Sequence, residues 1–422
     1  MNKKHISHKG IISKKPHLVI LGGGFGGVHT YKALSSQIKR NYDITIVDRR
    51  NHFLFTPLLP EVAGASLDVH SIVEPIRDII DIRHNFIQST IISVDTQSQI
   101  VSLPDGHLDY DLLVSALGSS TYFYGTPGAE EYAYVLKELD DAAAIRNRFI
   151  DCFEAASKIS YGDERSNLLT FIVVGAGPTG VELTGEAADL LFKTFTKQYG
   201  TIDRSEIKLV LVNSGAEVLG MFDESLRIYA EKSLHEDHVQ IFNGVRIAEV
   251  TPEGVITSDG KKMHAGTVIW TAGVSANALT CTSDSFQVER GRIKVDKYMR
   301  ALNSENVFII GDMSLCETND GRGLPMTAQV AKQQGITTAH NIKRIVNNKP
   351  LKEFKYHEKG LLASIGNYNA IAEIKGLKFK GLFAWFMWRA IYLFNFASGK
   401  KRMRILFEWT VNIFNRRDTT RL

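Results

Sequence analysis

The apolar residues of this chain gather in short runs, and several of the runs end at a glycine-rich turn. His17–Leu21 and Thr170–Val174 are two such runs, and each is followed by a glycine turn, a helical stretch and another apolar run, at 44–47 and 207–212. Short apolar runs that alternate with helical stretches predict buried parallel strands with helices on both faces of the sheet. We therefore predict an α/β protein that repeats one strand–turn–helix–strand unit after roughly 150 residues.

Further apolar runs support this organisation, at 112–116, 268–271 and 307–310. Each of them also ends at a glycine turn, as expected for strands of the same two sheets. Glycine turns continue beyond Lys355, between short apolar segments. That region predicts a small mixed sheet of its own.

The last 47 residues have a different pattern and hold three of the four tryptophans. Residues 381–397 carry one charge, at Arg389, and as a helix would be about 25 Å long, less than the roughly 30 Å of bilayer hydrocarbon. Residues 403–416 place a polar side chain at every fourth position, which predicts an amphipathic helix. These polar positions are Arg404, Glu408, Asn412 and Arg416.

Lysines and arginines flank the first of these segments on both sides. Flanking cations and internal tryptophans favour helices that lie in the headgroup region of a membrane. The alternatives are a buried helical hairpin, a homodimer seam and, least favoured, a spanning helix. We expect membrane-surface helices over 381–416.

Composition and charge narrow the function classes. The net charge is +4, but residues 1–15 carry +5, residues 376–422 carry +8 and the body between them carries −9. An acidic body argues against a nucleic-acid-binding protein, whereas a basic tail suits an anionic surface. Three widely spaced cysteines exclude a disulfide scaffold and favour a reducing compartment. The 13 histidines show no metal-ligand spacing, so no metal is expected.

The first glycine turn has the spacing Gly22-x-Gly24-x-x-Gly27, and Asp48 ends the next strand. In a dinucleotide-binding fold the first glycine allows a tight turn, the second lets the backbone approach a pyrophosphate, and the third lets helix and strand pack closely. The helix N-terminus supplies donors for the phosphates, and the acid accepts from a ribose diol. This pattern predicts a dinucleotide site; a purely structural glycine turn is the alternative.

The second glycine turn repeats the arrangement as Gly175-x-Gly177-x-x-Gly180, with Pro178 placed to start the helix. The strand that follows ends in Asn213, where an NADH-selective site usually presents an acid. Asn213 can bond a ribose hydroxyl but does not repel a 2′-phosphate. A nicotinamide site is predicted here, with NADH moderately favoured over NADPH.

Two dinucleotide folds in one chain predict that one holds a flavin and the other delivers a nicotinamide to it, because such cofactors carry the hydride chemistry. A late strand that ends in Gly311-Asp312 is typical of the second flavin-contacting segment of such flavoproteins. An ordinary turn at the end of a strand is the alternative.

Four segments together resemble those of type II NADH:quinone oxidoreductases. They are DRRNHFLFTPLLPEVA at 48–63, GAGPTGVELTGE at 175–186, AQVAKQQG at 328–335 and YHEKGLLASIG at 356–366. The motifs occur in order, and the resemblance covers roughly residues 17–370. Asn213 and the tail depart from the family pattern.

The resemblance implies an FAD site in which the isoalloxazine lies along Thr56, Pro57 and Leu58, and the ring's pyrimidine edge meets Ala328 and Gln329. The implied FAD set is Gly22, Gly24, Phe25, Gly26, Gly27, Asp48, Arg49, Thr56, Pro57, Leu58, Gly118, Gly311, Asp312, Ala328 and Gln329. The implied nicotinamide set is Gly175, Gly177, Pro178, Thr179, Gly180, Glu182, Asn213 and Gly273.

The resemblance also implies catalytic positions. Gln329, Gln333 and Lys359 would line a quinone pocket, and Glu182 would lie near the nicotinamide as a candidate for proton transfer. Each position has an ordinary alternative. Glu182 and Glu186 suit the first turns of a helix as solvated carboxylates, the two glutamines could be an exposed helix face, and Lys359 a surface lysine.

On this basis we expect a peripheral flavoenzyme that passes two electrons from NADH through FAD to a membrane quinone, without proton pumping, at the cytoplasmic face of a bacterial plasma membrane. The predicted domains are FAD-binding over 16–125 and 281–340, NAD(P)H-binding over 126–280, and C-terminal over 341–422. A sulfide:quinone oxidoreductase is one alternative, but Cys316 has no evident partner cysteine. A flavoprotein sensor that binds NADH without turnover is the other.

Overall fold

A computed structural model describes residues 5–6, 12–13, 15–279, 286–317, 321, 323–366, 368–396, 399–414 and 417–421. The chain divides into two compact units, each assembled from separate stretches of sequence. The first unit comprises Met1–Phe53, Glu74–Ser120 and Val274–His357. The second comprises Leu54–Val73, Thr121–Gly273 and Glu358–Leu422.

The first unit is built on a five-stranded sheet in which every neighbouring pair is parallel. Its strands, in spatial order, are Val307–Ile309, Leu112–Ser115, His17–Leu21, Asp43–Asp48 and Asn85–Gln88. Its helices are Phe25–Ala33, Ser36–Asn41, Ile76–Ile79 and Ala328–Val346, with a 3₁₀ turn at Gly311–Met313. A Cβ on Gly335 of the last helix would lie 2.6 Å from the carbonyl oxygen of Gly26, so the first and last helices are in backbone contact.

Smaller sheets complete the first unit. One is antiparallel and consists of Gly106–Asp109, Ile100–Leu103 and Ser93–Asp95. Another consists of Val288–Glu289, Arg292–Lys294 and Ser314–Leu315. His5–Ile6 pairs with Ile12–Ser13 near the N-terminus. Four short strands lie where the chain passes between units: His52–Leu54, Val73–Pro75, Ser119–Thr121 and Val274–Ala276.

The second unit contains a parallel sheet of the same size. Its strands, in spatial order, are Tyr134–Val135, Thr267–Trp270, Thr170–Val174, Lys208–Asn213 and Val239–Asn243. Its helices are Ala129–Tyr132, Leu139–Ala156, Asp163–Leu168, Pro178–Ala188 and Glu224–Glu236, with short 3₁₀ turns at Thr56–Leu58 and Arg204–Glu206 and a helix at Leu59–Ala63. The helix Pro178–Ala188 continues through a π-helical turn, Asp189–Phe195, to Thr196–Gln198. An antiparallel sheet of Ile247–Thr251, Gly254–Thr257 and Lys262–His264 lies beside them.

The C-terminal part of the second unit begins with the strands Leu361–Ser364, Ala370–Ile374 and Leu377–Lys380. They pair antiparallel throughout, which corrects the mixed sheet expected from the sequence. The reason is local: Lys375 and Gly376 have φ values of +51° and +78°, the two left-handed residues of a tight hairpin turn.

Two helices follow, Gly381–Asn395 and Gly399–Phe414, which we call the first and second C-terminal helices. Their positions agree with the two segments expected from the sequence, although Ala397 and Arg416 lie outside the described residues. Among the described residues, no helix is both long enough and apolar enough to cross a membrane.

We predict that replacing Gly185 with alanine lowers the free energy of unfolding by about 1–3 kcal/mol, because the added methyl group cannot be accommodated. A Cβ at Gly185 would lie 2.5 Å from the carbonyl carbon of Ile365, which belongs to the backbone. Urea denaturation followed by circular dichroism measures the change. Gly200→Ala is the control, since a Cβ there meets nothing within 4 Å. Equal losses in the two variants would contradict the prediction.

Candidate functional site

The first glycine fingerprint leads into the helix Phe25–Ala33. Gly22 has a φ of +100°, and a Cβ there would lie 2.3 Å from the carbonyl oxygen of Ala116. A Cβ at Gly27 would lie 1.9 Å from the carbonyl oxygen of Gly22. At Gly24, by contrast, a Cβ would meet nothing within 4 Å among the described residues beyond its chain neighbours. The fold itself requires the first and third glycines, and the second leaves open space at a helix N-terminus, as a pyrophosphate needs.

Asp48 is buried and holds the glycine turn in place. Its Oδ2 accepts a hydrogen bond from the backbone N–H of Gly23 at 2.6 Å, and its Oδ1 accepts one from the backbone N–H of Arg50 at 2.8 Å. A carboxylate has about four lone-pair positions, so these bonds leave acceptor capacity for a ribose diol.

The second predicted flavin segment lies in the same unit. Gly311 has a φ of +70°, and its N–H donates to Oε1 of the fully buried Gln334 at 2.6 Å. Asp312 accepts a hydrogen bond from the Ser119 hydroxyl at 2.5 Å. Gln334 was missed in the sequence, although it belongs to the AQVAKQQG segment. Nothing in the sequence distinguishes it from its neighbour Gln333.

The other predicted flavin residues of the first unit lie on two helices and in two loops. Phe25 is half-buried, and its ring meets Phe53 edge-on at a centroid distance of 5.1 Å. Arg49 is exposed. Gly118 has a φ of +70° and accepts a backbone hydrogen bond from Asn277 at 3.0 Å. Ala328 and Gln329 begin the helix Ala328–Val346, and Gly26 lies on the helix Phe25–Ala33.

Gln333 lies one turn further along the helix that begins at Ala328. Its Nε2 donates to the carbonyl of His357 at 2.9 Å, and its Oε1 accepts from the N–H of His357 at 3.0 Å. The amide of Gln333 is thus bonded at both ends to the backbone. Lys359, in the second unit, is exposed.

The second glycine fingerprint reproduces the geometry of the first. Gly175 has a φ of +109°, and a Cβ there would lie 2.7 Å from the backbone of Ala272. A Cβ at Gly180 would lie 1.8 Å from the carbonyl oxygen of Gly175, while one at Gly177 meets nothing within 4 Å. Pro178 and Thr179 start the helix that follows. Backbone contact therefore accounts for the first and third glycines, whereas the second leaves open space at the start of the helix.

Asn213 uses its side chain within the loop that it begins. Its Nδ2 donates to the carbonyl of Glu217 at 2.8 Å and to Oδ1 of Asn243 at 3.1 Å, and its Oδ1 accepts from the N–H of Gly215. Gly273, with a φ of +102°, lies so close to the ring of Tyr124 that a Cβ would be 2.5 Å from the Tyr124 hydroxyl.

Glu182 and Glu186 are both buried, with exposed fractions of 6% and 5%, so the solvated alternative for this helix does not apply. Oε1 of Glu182 accepts from the N–H of Ser364 and from the indole N–H of Trp388, both at 3.1 Å. Burial raises the pKa of Glu182 to about 8, and the two hydrogen bonds oppose part of that increase. Glu182 therefore holds a proton at neutral pH and can release it.

Glu186 is compensated differently. Its Oε2 lies 2.9 Å from the Nη1 of Arg417 and accepts from the Ser66 hydroxyl at 2.8 Å. Arg417 also lies 3.2 Å from Asp189 on the same helix. Two buried carboxyl groups thus share one guanidinium from the end of the chain.

The predicted isoalloxazine segment, Thr56–Leu58, forms a 3₁₀ turn whose first two residues are half-buried. Phe55, directly before it, is buried and stacks on Phe396 at a centroid distance of 4.1 Å. Glu61 follows three residues later, buried and bonded through Oε2 to the indole N–H of Trp409 at 2.8 Å. Sequence reasoning missed Glu61, Trp388 and Trp409 as one cluster because they come from distant segments.

The C-terminal helices have apolar residues on two sides. Their buried residues are Ala384, Trp385, Trp388, Ile405 and Trp409. Their exposed apolar residues are Leu382, Phe383, Phe386, Phe394, Met403, Leu406 and Phe407. Arg404 and Glu408 lie between these sides and contact Asp68 and Ser71. The described part of the polar stripe thus faces a loop of the protein.

Comparison with known proteins agrees with this arrangement. The sequence model described as pyridine nucleotide-disulphide oxidoreductase matches residues 16–335, and the NDH2 C-terminal domain matches residues 358–418. A probable NADH dehydrogenase of Dictyostelium discoideum is 32% identical, with 97% of this chain and 92% of that protein covered. The type II NADH:quinone oxidoreductase Ndh of Mycobacterium tuberculosis is 31% identical, with 96% and 89% covered.

A solved structure of NDH2 from Plasmodium falciparum in complex with NADH has the same fold, with a TM-score of 0.89 at 23% identity over 96% of this chain and all of that one. Three findings lead to one assignment. The two glycine fingerprints have the same geometry, the segments typical of FAD and nicotinamide sites occur in order, and the relatives match over nearly the whole chain. The chain belongs to the pyridine nucleotide-disulphide oxidoreductase family and, within it, to the type II NADH:quinone oxidoreductases.

Proposed function

We propose that the protein is a flavoenzyme that transfers two electrons from NADH through FAD to a quinone, without pumping protons. One observation carries the proposal: a strand in each of the two parallel sheets leads into a glycine fingerprint, and the second glycine, Gly24 or Gly177, leaves open space at the start of a helix. A Cβ there would meet nothing within 4 Å among the described residues beyond its chain neighbours. FAD, when bound, would supply the two-electron chemistry that links the nicotinamide to the quinone. The protein binds, orients and supplies protons.

The first unit offers the donors and acceptors that FAD needs. The helix that begins at Phe25 presents its N-terminal end to a pyrophosphate, with no acidic residue in its first turn. Asp48 is the acceptor for the adenosine ribose. Gly311 and Asp312, fixed by Gln334 and Ser119, are the groups for the ribityl chain.

For the nicotinamide dinucleotide, the second fingerprint takes the pyrophosphate and Asn213 meets the adenosine ribose. The Asn213 amide is neutral and already bonded to Glu217 and Asn243, so it places no fixed negative charge against a 2′-phosphate. We infer a preference for NADH that is weaker than a carboxylate at this position would give.

In this proposal, Gln329, Gln333 and Lys359 bind the quinone. Gln333 acts by holding the backbone of His357, two residues before Lys359 in the sequence. Glu182, protonated at neutral pH, is the acid that supplies a proton to the reduced quinone.

Stopped-flow absorbance of the purified FAD-containing enzyme tests the function. NADH is expected to bleach the flavin absorbance band, and NADPH is expected to bleach it more slowly. A soluble quinone, added second, is expected to restore the band in a single turnover. An enzyme that NADH does not reduce, or that quinone does not reoxidise faster than air does, would contradict the proposal. Reduction by sulfide instead of NADH would point to the sulfide:quinone reaction.

We predict that Glu182→Gln retains FAD but slows flavin reoxidation by quinone, by a factor on the order of 100, because the acid is lost. In the unmodified enzyme the reoxidation rate is expected to fall as pH rises through about 8, where Glu182 loses its proton. The variant is expected to lack this descending limb of the pH profile. Glu236→Gln, at an exposed position, is the control. An unchanged pH profile would show that Glu182 takes no part in the reaction.

We further propose that the enzyme is peripheral at the cytoplasmic face of a bacterial plasma membrane. Seven exposed apolar residues of the two C-terminal helices form the contact surface, in a segment of net positive charge. Lipid is the occupant that fits, because a basic border suits anionic headgroups and the quinone resides in the same bilayer. The competing proposal is that a second copy of the chain covers the same residues in a homodimer seam.

Phe394→Asp combined with Phe407→Asp is predicted to reduce binding to anionic phospholipid vesicles at least tenfold, because two largely exposed aromatic rings lose their burial in lipid. Flotation measures the bound fraction. Ile82→Asp combined with Ile228→Asp, exposed elsewhere, is the matched control and should bind as the original does. Unchanged flotation together with loss of a dimer in light scattering would favour the seam.

A further inference from the structure

The interior of the second unit holds more acids than the proposed function has used. Glu61, Glu182 and Glu186, which we call the glutamate cluster, are 4%, 6% and 5% exposed, and Asp189 is 3% exposed. Arg417 forms ion pairs with Glu186 and Asp189. Buried carboxyl groups are ionised where a cation pairs with them and otherwise tend to keep a proton. The cluster therefore divides into paired and unpaired members.

Glu61 and Glu182 are the unpaired members. Within the described part of the chain, neither has a Lys or Arg nitrogen within 4.0 Å of its carboxyl oxygens. Each accepts an indole N–H from a different C-terminal helix, Trp409 for Glu61 and Trp388 for Glu182. An indole N–H is a neutral donor, so it positions a carboxyl group in either protonation state.

Arg389 is the charged group with the largest influence on the pKa of Glu61, and it acts to lower that pKa. Its guanidinium carbon lies 3.7 Å from the ring centroid of Trp385 and 4.6 Å from that of Trp409, between two indoles. It acts on Glu61 and Glu186 through space, without a hydrogen bond to either. Held in this way, Arg389 lowers the cost of ionising Glu61 but does not fix the carboxylate in an ion pair.

The reaction needs a second proton source. The hydride of NADH brings two electrons and one proton, whereas the reduction of quinone to quinol takes up two electrons and two protons. Every turnover therefore takes one proton from solution. NADH, quinone and this proton become NAD⁺ and quinol. Glu182 must be reprotonated before each turnover, and because it is buried, the proton has to come from a neighbouring ionisable group that is itself connected to the surface.

We propose that Glu61 is that group: it holds the proton taken from solution and passes it to Glu182, and Trp409 positions it. This inference rests on the proposed function. The groups that face Glu61, element by element, are Arg389, Tyr392, Trp409, Glu182, Glu186 and Arg417. Arg389 and Arg417 favour its ionised form, whereas Glu186 disfavours it. Burial is the largest influence and raises the pKa of Glu61 to about 7.

Location along the chain supports the assignment. Glu61 lies three residues after Thr56–Leu58, the segment proposed for the isoalloxazine, and Phe55 and Phe396 stack beside that segment. Glu186 and Asp189 continue along one helix to Lys193, whose Nζ lies 2.5 Å from Asp189 and 3.0 Å from the more exposed Asp237. Charged groups thus lead from the cluster to the surface.

Glu61→Gln is the central variant, because glutamine keeps an acceptor for Trp409 but cannot carry the proton. We expect flavin reduction by NADH to be unchanged and reoxidation by quinone to slow by roughly 10- to 100-fold. In the unmodified enzyme the reoxidation rate falls as pH rises through about 7, where Glu61 loses its proton. The variant is expected to lack this limb and to keep the one that belongs to Glu182. Glu253→Gln, at an exposed carboxyl, is the matched control.

Two further variants separate proton transfer from a structural role. Trp409→Phe removes a hydrogen bond that lowers the pKa of Glu61, so the limb moves to higher pH. Glu186→Gln removes a like charge, so the limb moves to lower pH. A group that served only to anchor the helix would produce neither shift. Unchanged reoxidation and an unchanged pH profile in Glu61→Gln would overturn the proposal.

A measurement without turnover distinguishes this proposal from the proposed function. Infrared difference spectra of the FAD-containing enzyme, recorded below and above about pH 7, should show a protonated carboxyl band that Glu61→Gln lacks. If that band is present but quinone does not reoxidise the unmodified enzyme, the proposed function fails. If quinone does reoxidise it and the band is the same in both proteins, only the inference about Glu61 fails.

Discussion

A carboxyl group inside a protein must be neutral or paired, because an uncompensated buried charge costs several kcal/mol. The second unit buries three glutamates and Asp189, and the last 35 residues of the chain supply much of their compensation, in addition to Ser66, Lys193 and Ser364. Arg417 provides the ion pairs, and Trp388 and Trp409 provide neutral donors. The C-terminal helices are therefore part of the second unit's interior, and the protonation of its acids depends on how these helices are seated.

The glycine fingerprints show how one motif separates fold from function. In both units the third glycine lies against the carbonyl oxygen of the first, at 1.9 and 1.8 Å from an added Cβ, so backbone contact alone excludes any side chain. The second glycine has no such neighbour in either unit. Backbone contact therefore does not exclude a side chain at this position. In the proposed function, the space beside the second glycine of each unit is taken by a pyrophosphate.

Local rules explain what could be predicted from the sequence. Seven strands of the two parallel sheets agree with the predicted apolar runs within about one residue, because burial on both faces leaves an unbroken apolar signal. The sequence analysis did not predict the other three, Asn85–Gln88, Tyr134–Val135 and Val239–Asn243. The acids could not be placed in this way. Glu182 and Glu186 sit near a helix start, where carboxylates are favourable in water, and their partners come from positions 364, 388 and 417. Likewise, no local signal distinguishes Gln334, which fixes Gly311, from Gln333, which binds the backbone of His357.

The C-terminal helices have apolar residues both on the side that packs into the protein and on an exposed side. An amphipathic helix has one apolar face, but the second C-terminal helix buries Ile405 and Trp409 while it exposes Leu406 and Phe407, and Arg404 lies between the two sets. The protein interior covers one of these two apolar faces, and in the proposed function lipid covers the other. In the proposed function the quinone comes from lipid, whereas the proton comes from water. A helix about 10 Å thick, with lipid on one side and a buried acid on the other, keeps these two supplies apart and still close.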